Sequence, residues 1–393
     1  MLIAPPYKIL VFLSFLLLIT PFASQAESIN IGLYTNSNIQ SITLKVERGG
    51  YDVFGDDQLI FSLSKNRVCQ IKNSKGKIQF WKEDALVGSY DKIRIVRKTW
   101  GSAFRIKPAT RYLPEQLYQD NLFISKRNSH LKLVNNVYLE HYVAGVVEAE
   151  TGSKQLLEFY KLKSIICRTY ALAHKNRHEG QGFHLCDQVH CQVYKGKARF
   201  NNDIAKAANE TKGLVIVDSE INLITAAFHS NCGGHTVNAE DAWSYPLPYL
   251  KAKKDTFCLE GEHAVWEHRM PKQNWLNYLN TKHHFTLNDS IDLRCALNYF
   301  PTEKETYFAD ENFEIPLKSV RSDLDLNSTF FNLETKNDSV IFKGKGFGHG
   351  VGLCQEGAMN MIRQGFGVNE VIHFYYHNVH VIDLSVINFF REE

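Results

Sequence analysis

The run Gly145 to Tyr170, GVVEAETGSKQLLEFYKLKSIICRTY, constrains this chain more than any other segment. Its first part reads as a short strand-like run. Its second part opens a helix, with Ser153 as N-cap and Phe159, Leu162, Ile166 and Ala173 at helical spacing. Such a helix must bury its apolar face, and a sheet is the expected support. Glu150 stands at the junction, where a carboxyl can be held within reach of a substrate. A glutamate acts as a general acid only where apolar neighbours favour its protonated form, whereas a helix beginning just after it favours the ionised form. An exposed loop carboxylate is the plainer alternative. Glu148, two residues earlier on an extended run, points to the same face, so spacing alone does not separate the two.

Residues 1 to 26 read as an export signal. Lys8 supplies the positive charge, Ile9 to Ile19 is an apolar run too short to cross a bilayer, and Ser24-Gln25-Ala26 precedes a cleavage point near Glu27. An uncleaved anchor is the alternative. The rest of the chain is too long for one ordinary core and suggests two or three units of ~100 to 200 residues each. A formal net charge of +3 over 393 residues gives no support for a nucleic-acid partner. The eight cysteines, at 69, 167, 186, 191, 232, 258, 295 and 354, can form disulfides in an exported chain. Cys167 falls on the helical stripe and reads as a small buried apolar residue.

From Ile29 to Ile124 the chain reads as short alternating strands, IGLYT, SITLKV, QLIFSL, KIQFW, KIRIV and SAFRIK, with no catalytic constellation. Further strands are expected around Leu122 to Ser125 and Leu131 to Leu139. Ile204 to Thr211 reads as a helix capped by Asp203 and stopped by Gly213. LVIVD and INLITAAF, joined at Ser219-Glu220, read as a hairpin that delivers His229 to Gly234. Residues 271 to 320 read as helix plus an irregular excursion. Val340 to Lys343 is then a strand, Gly344 to Gly352 a loop, Gln355 to Gln364 a helix ended by Gly365, and a last helix lies near Glu370 to Tyr376. The fold class is α+β, with a β-rich N-terminal region over 27–111 and a second unit over 112–385.

Two clusters could carry chemistry. Gly346-Phe347-Gly348-His349-Gly350-Val351-Gly352 allows positive φ angles and close backbone approach to a ligand. It lacks the residues of a phosphate loop or a dinucleotide fingerprint. His349 and Gln355 are able to hydrogen-bond a sugar or peptide, or simply to satisfy a tight turn. His184, Cys186, His190 and Cys191 offer two imidazoles and two thiols, a set suited to a closed tetrahedral zinc site. The spacing is tight, which leaves room for a ligand from elsewhere such as Cys232, and a Cys186–Cys191 disulfide is the rival.

The motifs GVVEAE, CRTYAL, CQVYKG, FHSNCGGHT, AEDAW and GFGHGVGLCQEGA, in that order over Tyr112 to Asp383, resemble the SpoIID/LytB family of cell-wall proteins. The resemblance implies a protein directed at peptidoglycan, either a lytic transglycosylase or an enhancer of a wall amidase, exported to the periplasm or the outer face of the cell envelope. By motif, Glu150 matches the family's catalytic glutamate, which protonates the glycosidic oxygen and then helps the muramoyl C6 hydroxyl close a 1,6-anhydro ring. Arg168, Tyr170, His229, Ser230, His349 and Gln355 would line the glycan groove. A structural zinc at His184, Cys186, His190 and Cys191 is the implied cofactor. The chain departs from the family at Thr151-Gly152, where Met-Pro is usual, at Phe228, where Tyr is usual, and at Cys354, where Ser is usual. The first departure bears on how Glu150 is positioned. A zinc hydrolase using the Cys/His cluster is the remaining alternative.

Overall fold

A computed structural model describes residues 27–110, 112–285, 290–308 and 315–391. The expected export signal lies outside the described residues. Helices and strands segregate as an α+β fold. In Ser41–Arg48, Ile42, Leu44 and Val46 are buried and their neighbours are not, the period-2 pattern of a half-buried strand. Repetition of this pattern builds two sheets. One has seven strands in the order Leu185–Cys186, Ser28–Leu33, His130–Tyr138, Asn121–Arg127, Ile93–Arg97, Gly50–Gly55 and Gln58–Ser64. The other has six, Gln116–Gln119, Ala103–Pro108, Ser41–Arg48, Val68–Ser74, Lys77–Lys82 and Ala85–Tyr90. Ser28–Leu33 pairs antiparallel with His130–Tyr138, Ser28 opposite Tyr138 and Leu33 opposite Leu133. A single hydrophobic core runs from Ile29 to Ala208, with members on both sides of position 111.

The segment before Glu150 is not a strand. It is a helix, α1, over Leu139–Thr151. Its buried residues include Leu139, Tyr142, Val143, Val146 and Val147, the i, i+3, i+4, i+7, i+8 stripe of a helix lying on a core. A reading that begins at Gly145 sees only the end of that stripe. Thr151 closes the helix by donating its hydroxyl to the Val147 carbonyl at 2.7 Å, and Gly152, at φ 69°, turns the chain away.

The second helix, α2, spans Leu157–Ala173 and begins later than Ser153; Leu156 precedes it without a side-chain cap. It has little free face. Tyr160, Cys167 and Ala171 join the N-terminal core, while Phe159, Leu162, Ile165 and Ile166 join a second core with Ile216, Leu353, Met361 and Tyr376. The third helix, α3, spans Asn202–Glu210, and its cap is Asn201, whose side chain accepts the Asp203 N–H at 2.8 Å.

The expected hairpin after α3 shrinks to a tight turn, with the Asp218 N–H bonded to the Asn222 carbonyl at 2.9 Å and the Ile224 N–H to the Ile216 carbonyl at 3.2 Å. Leu214–Val217 pairs instead with His380–Asp383, Leu214 opposite Asp383, and only a single bridge joins Val217 to Leu223. Asp218 accepts the N–H groups of Glu220 and Asn222 at 2.9 Å, bending the chain off the strand. Phe228–His229 then runs parallel to Leu353–Cys354, with Phe228 opposite Leu353 and His229 opposite Cys354. The excursion expected over 271–320 carries helices Lys272–His283, Ser290–Leu297 and Leu317–Asp323. They share a third core, around Trp275, Phe308 and Phe342, with a sheet of Val265–Pro271, Ser339–Lys345 and Phe331–Lys336. No described helix is long and apolar enough to cross a membrane.

Arg168 is the polar joint of this arrangement. It is 0% exposed, and its guanidinium bonds both oxygens of the buried Glu140 on α1, with Nε to Oε1 at 3.0 Å. Its remaining donors reach the carbonyls of Leu214 and Ala208 at 3.0 Å. A buried ion pair adds little net stability, yet losing one partner strands the other charge away from water. Glu140→Gln is therefore expected to lower unfolding free energy by ~3 kcal/mol or more, read from urea unfolding midpoints. A shift no larger than that of a surface substitution would show that the joint is not structural.

Candidate functional site

The ends of these elements surround a groove of about 580 Å³ between the first two cores. Glu150 comes from the last turn of α1, and Tyr170 and His174 from the end of α2. His190 and Cys191 come from the loop that follows, His229 and Ser230 from the parallel pair, and His349 and Gln355 from the glycine-rich loop and the helix after it. Of the substrate-contact residues named from sequence, Arg168 alone is not in the lining; it is committed to Glu140. Sequence reading missed Arg177, Trp243, Tyr245 and Arg321, all of which line the groove. Trp243 sits in the AEDAW motif, so its position was visible while its role was not. Arg177 and Arg321 carry no periodicity or motif that would have marked them.

Helical geometry separates the two glutamates. Two residues are about 200° apart around a helix, so Glu148 turns to the other side, where Arg199 and Phe200 donate backbone N–H groups to it at 2.9 Å and 2.8 Å. Glu150 is half-buried, and its Oε1 accepts the Val193 N–H at 2.9 Å. That bond depends on a close approach. A Cβ on Gly145 would lie 2.2 Å from the Gly196 carbonyl oxygen, so only glycine lets α1 meet the loop carrying Val193. Glu150 thus lies in the last turn of a helix and not ahead of a helix N-terminus.

Beneath Glu150 lies a cation. Lys163 of α2 is 0% exposed, its Nζ has no hydrogen-bond partner among the described residues, and it stands 3.0 Å from the Phe228 ring centroid. Burial holds its pKa below the ordinary lysine value, opposed by the charges of Cys167 and Glu150. Phe228, where the family usually has Tyr, thus supplies the ring face beside this ammonium.

On the opposite wall the histidines are held in fixed forms. His349 Nε2 donates to the Phe228 carbonyl at 3.0 Å while Nδ1 accepts the Val351 N–H at 3.1 Å. A second proton on Nδ1 would cost that bond. Although part of its ring meets solvent, loss of water pulls the His349 pKa down to about 4. His229 Nδ1 donates to the Val351 carbonyl at 3.1 Å, and burial holds its pKa well below the histidine range. His229 Nε2 and Gln355 Oε1 are both buried without a hydrogen-bond partner among the described residues, leaving two unsatisfied acceptors in the groove lining. Gly348, at φ 115°, permits this packing, since a Cβ there would meet His229 Cβ at 2.7 Å.

Beside the groove, His178, Cys186, His190 and Cys191 bring four ligand atoms within 4.8 Å of one another. His178 takes the place expected of His184, because the polypeptide before the loop folds back on it. Its Nε2 is 3.4 Å from Cys191 Sγ, and His190 Nδ1 is 3.7 Å from the same sulfur. His184 is turned away, its Nδ1 accepting the Asn30 N–H at 3.1 Å. A hydrogen bond from Cys191 pulls the Cys186 thiol down to about 4, with help from the Gln188 backbone and the two rings. Arg177 ties this loop to α2 by donating to Tyr170 Oη at 2.7 Å and to the His190 carbonyl at 2.8 Å. Two soft and two borderline ligands at this spacing fit a tetrahedral zinc ion.

Two outcomes follow. Because His349 binds its proton less readily in the folded chain than the ordinary 6.5, the unfolded state takes up more protons as pH falls. Stability should therefore decline between about 6.5 and about 4. Urea midpoints across that range are expected to fall less steeply in His349→Gln, and equal slopes would contradict the argument. Lys163→Met removes a cation that no bond compensates, so it should leave stability unchanged or raise it by ~1 kcal/mol or more; a lower melting temperature would show that the ammonium is structurally required.

The profile of the SpoIID family, described as stage II sporulation protein, matches residues 127–217, which hold Glu150, α2 and the Cys/His cluster. An uncharacterised protein of Brachyspira hyodysenteriae is 28% identical over 276 residues, covering 69% of this chain and 74% of that protein. Stage II sporulation protein D of Bacillus subtilis is 26% identical over 300 residues, covering 71% and 84%. An amidase enhancer of Bacillus subtilis is 26% identical over 344 residues, covering 71% of this chain and 47% of its own length. Profile, relatives and the ordered motifs agree in their direction: the chain is similar to the SpoIID/LytB family.

Proposed function

We propose that this chain is a peptidoglycan lytic transglycosylase in which Glu150 is the general acid and base. The observation that carries the reading is the groove lining, where Glu150 is the one carboxylate among the described residues and faces a wall with unpartnered acceptors at His229 and Gln355. Glycosidases that use water or a covalent intermediate need a second enzyme carboxylate. Here the substrate's own C6 hydroxyl is the nucleophile. Glu150 protonates the departing glycosidic oxygen, then accepts the proton of that hydroxyl as the 1,6-anhydro ring closes. Sugar hydroxyls satisfy His229 Nε2 and Gln355 Oε1, the faces of Trp243 and Tyr245 offer flat apolar surface, and Arg177 and Arg321 suit carboxylates on the muramoyl lactyl groups and stem peptides. The working compartment is the cell envelope, and the amidase enhancer among the relatives supports a wall-directed role.

The test is incubation of the protein with glycan strands freed of stem peptides, with products separated by mass. Wild type should release 1,6-anhydro-muramoyl ends, and Glu150→Gln should lower the rate by ~10² to 10⁴-fold. The same kinship supports a second reading, a glycan-binding enhancer of a wall amidase. No anhydro product from wild type, together with a faster amidase in its presence, would establish that reading instead.

The same proposal takes His178, Cys186, His190 and Cys191 as the holders of a structural zinc. A closed shell of four protein ligands has no open position for catalysis, so its part is to fix the loop beside Glu150. His178→Ala should lose zinc where His184→Ala keeps it, measured as metal per chain. Equal retention in both, or a Cys186–Cys191 disulfide in the protein purified without reductant, would remove the assignment.

A further inference from the structure

A second cluster lies behind the opposite wall of the groove. Cys232, Asp255, Cys258 and Cys354 are each 0% exposed, and one ligand atom from each lies within 4.8 Å of all the others. Cys232 Sγ is 3.3 Å from Cys258 Sγ and 3.3 Å from Asp255 Oδ2. The sulfur separation is longer than a covalent bond of ~2.05 Å and close to the ~3.8 Å spanned by two thiolates bound to one tetrahedral zinc at ~2.3 Å.

We propose that Cys232, Asp255, Cys258 and Cys354 form a second metal site, built to hold one tetrahedral zinc ion. Three features beyond proximity support it. First, Asp255 is a fully buried carboxylate whose partners among the described residues are all neutral: the Tyr375 hydroxyl at 2.8 Å, the Phe257 N–H at 2.9 Å and the Cys232 thiol. A carboxylate removed from water needs a cation, and a divalent ion bound by its oxygen supplies one. Second, Cys354 Sγ already accepts two backbone N–H groups, from Cys232 at 3.3 Å and Gly357 at 3.4 Å. Donors of this kind orient and stabilise metal-bound thiolate. Third, the half-buried Lys304 lies in the field of all four groups, where its ammonium offsets part of the negative charge of three thiolates and a carboxylate.

The backbone is shaped to bring the four together. Gly233 and Gly234, at φ 68° and 101°, turn the chain after Cys232, and the Gly234 carbonyl accepts the Asp255 N–H at 2.9 Å. Asp255 and Cys258 are three residues apart on one tight loop. Cys354 caps the helix Gln355–Arg363. Thiolate-rich sets with one carboxylate favour zinc over magnesium or calcium, which require oxygen ligands. The site would rivet the Phe228–His229 strand to Leu353–Cys354, and so fix the spacing of His229, Ser230 and Gln355. It also gives a reason for the cysteine at 354, where serine is usual in the family.

The test uses the full chain carrying Cys186→Ser and Cys191→Ser, so that the outcome does not depend on the first cluster. Purified under reducing, chelator-free conditions, this protein should retain one zinc per chain by elemental analysis, and cobalt(II) in its place should give the visible bands of a tetrahedral thiolate site. Adding Cys354→Ser or Cys258→Ser should abolish both signals. Tyr375→Phe, which removes only the hydroxyl behind Asp255, should keep the fold and weaken zinc by ~10- to 100-fold in a chelator competition. Absence of zinc in the Cys186→Ser, Cys191→Ser protein, retention after Cys258→Ser, or a Cys232–Cys258 disulfide in wild-type protein purified without reductant would each overturn the proposal.

Discussion

The guanidinium of Arg168 is the constraint around which the fold is organised. It projects from α2 to where α1, α3 and the strand Leu214–Val217 meet, and it satisfies groups on those three. Helix α2 has apolar residues in two separate cores, so it has no face left with which to adjust. Glu150 stands one residue from the end of α1, about three turns beyond Glu140. Any shift of α1 against α2 that lengthened the Glu140–Arg168 bonds would move Glu150 relative to the groove.

The groove exists because two cores abut without merging. Apolar side chains fill each core, and the polar ends of their elements are left at the seam. There burial acts on His229, His349 and Lys163. It keeps His229 and His349 neutral and hydrogen-bonded to backbone, and it leaves Lys163 under Phe228 without a hydrogen-bond partner among the described residues. The result is a wall of oriented acceptors opposite a single carboxylate, with aromatic surface between. Under the proposed function, hydroxyls of a glycan would supply the O–H donors that the unsatisfied acceptors call for.

The two thiol clusters occupy comparable places on either side of the seam. One lies beside Cys191, in the groove lining itself; the other lies behind His229 and Gln355. Both gather residues from loops and strand ends, where few apolar contacts hold the backbone. Such segments order weakly by packing alone, and the proposed metal ions would fix them with little added core.

The alternation of Ser41–Arg48 and its neighbours marked the β-rich half, since a half-buried strand must repeat every two residues. The glycine-rich loop and the helix from Gln355 were equally legible, because positive φ and a following apolar stripe are local properties. Helix α1 was misjudged where a short window cut across a longer period. Arg168 was assigned to the groove because a motif records which residues recur together and not which way they point. His178 rather than His184, the Asp255 cluster and Lys163 under Phe228 came only from tertiary structure. Each depends on chain segments distant in sequence, and the closing distance between such segments is set by how whole cores pack, which no local pattern encodes.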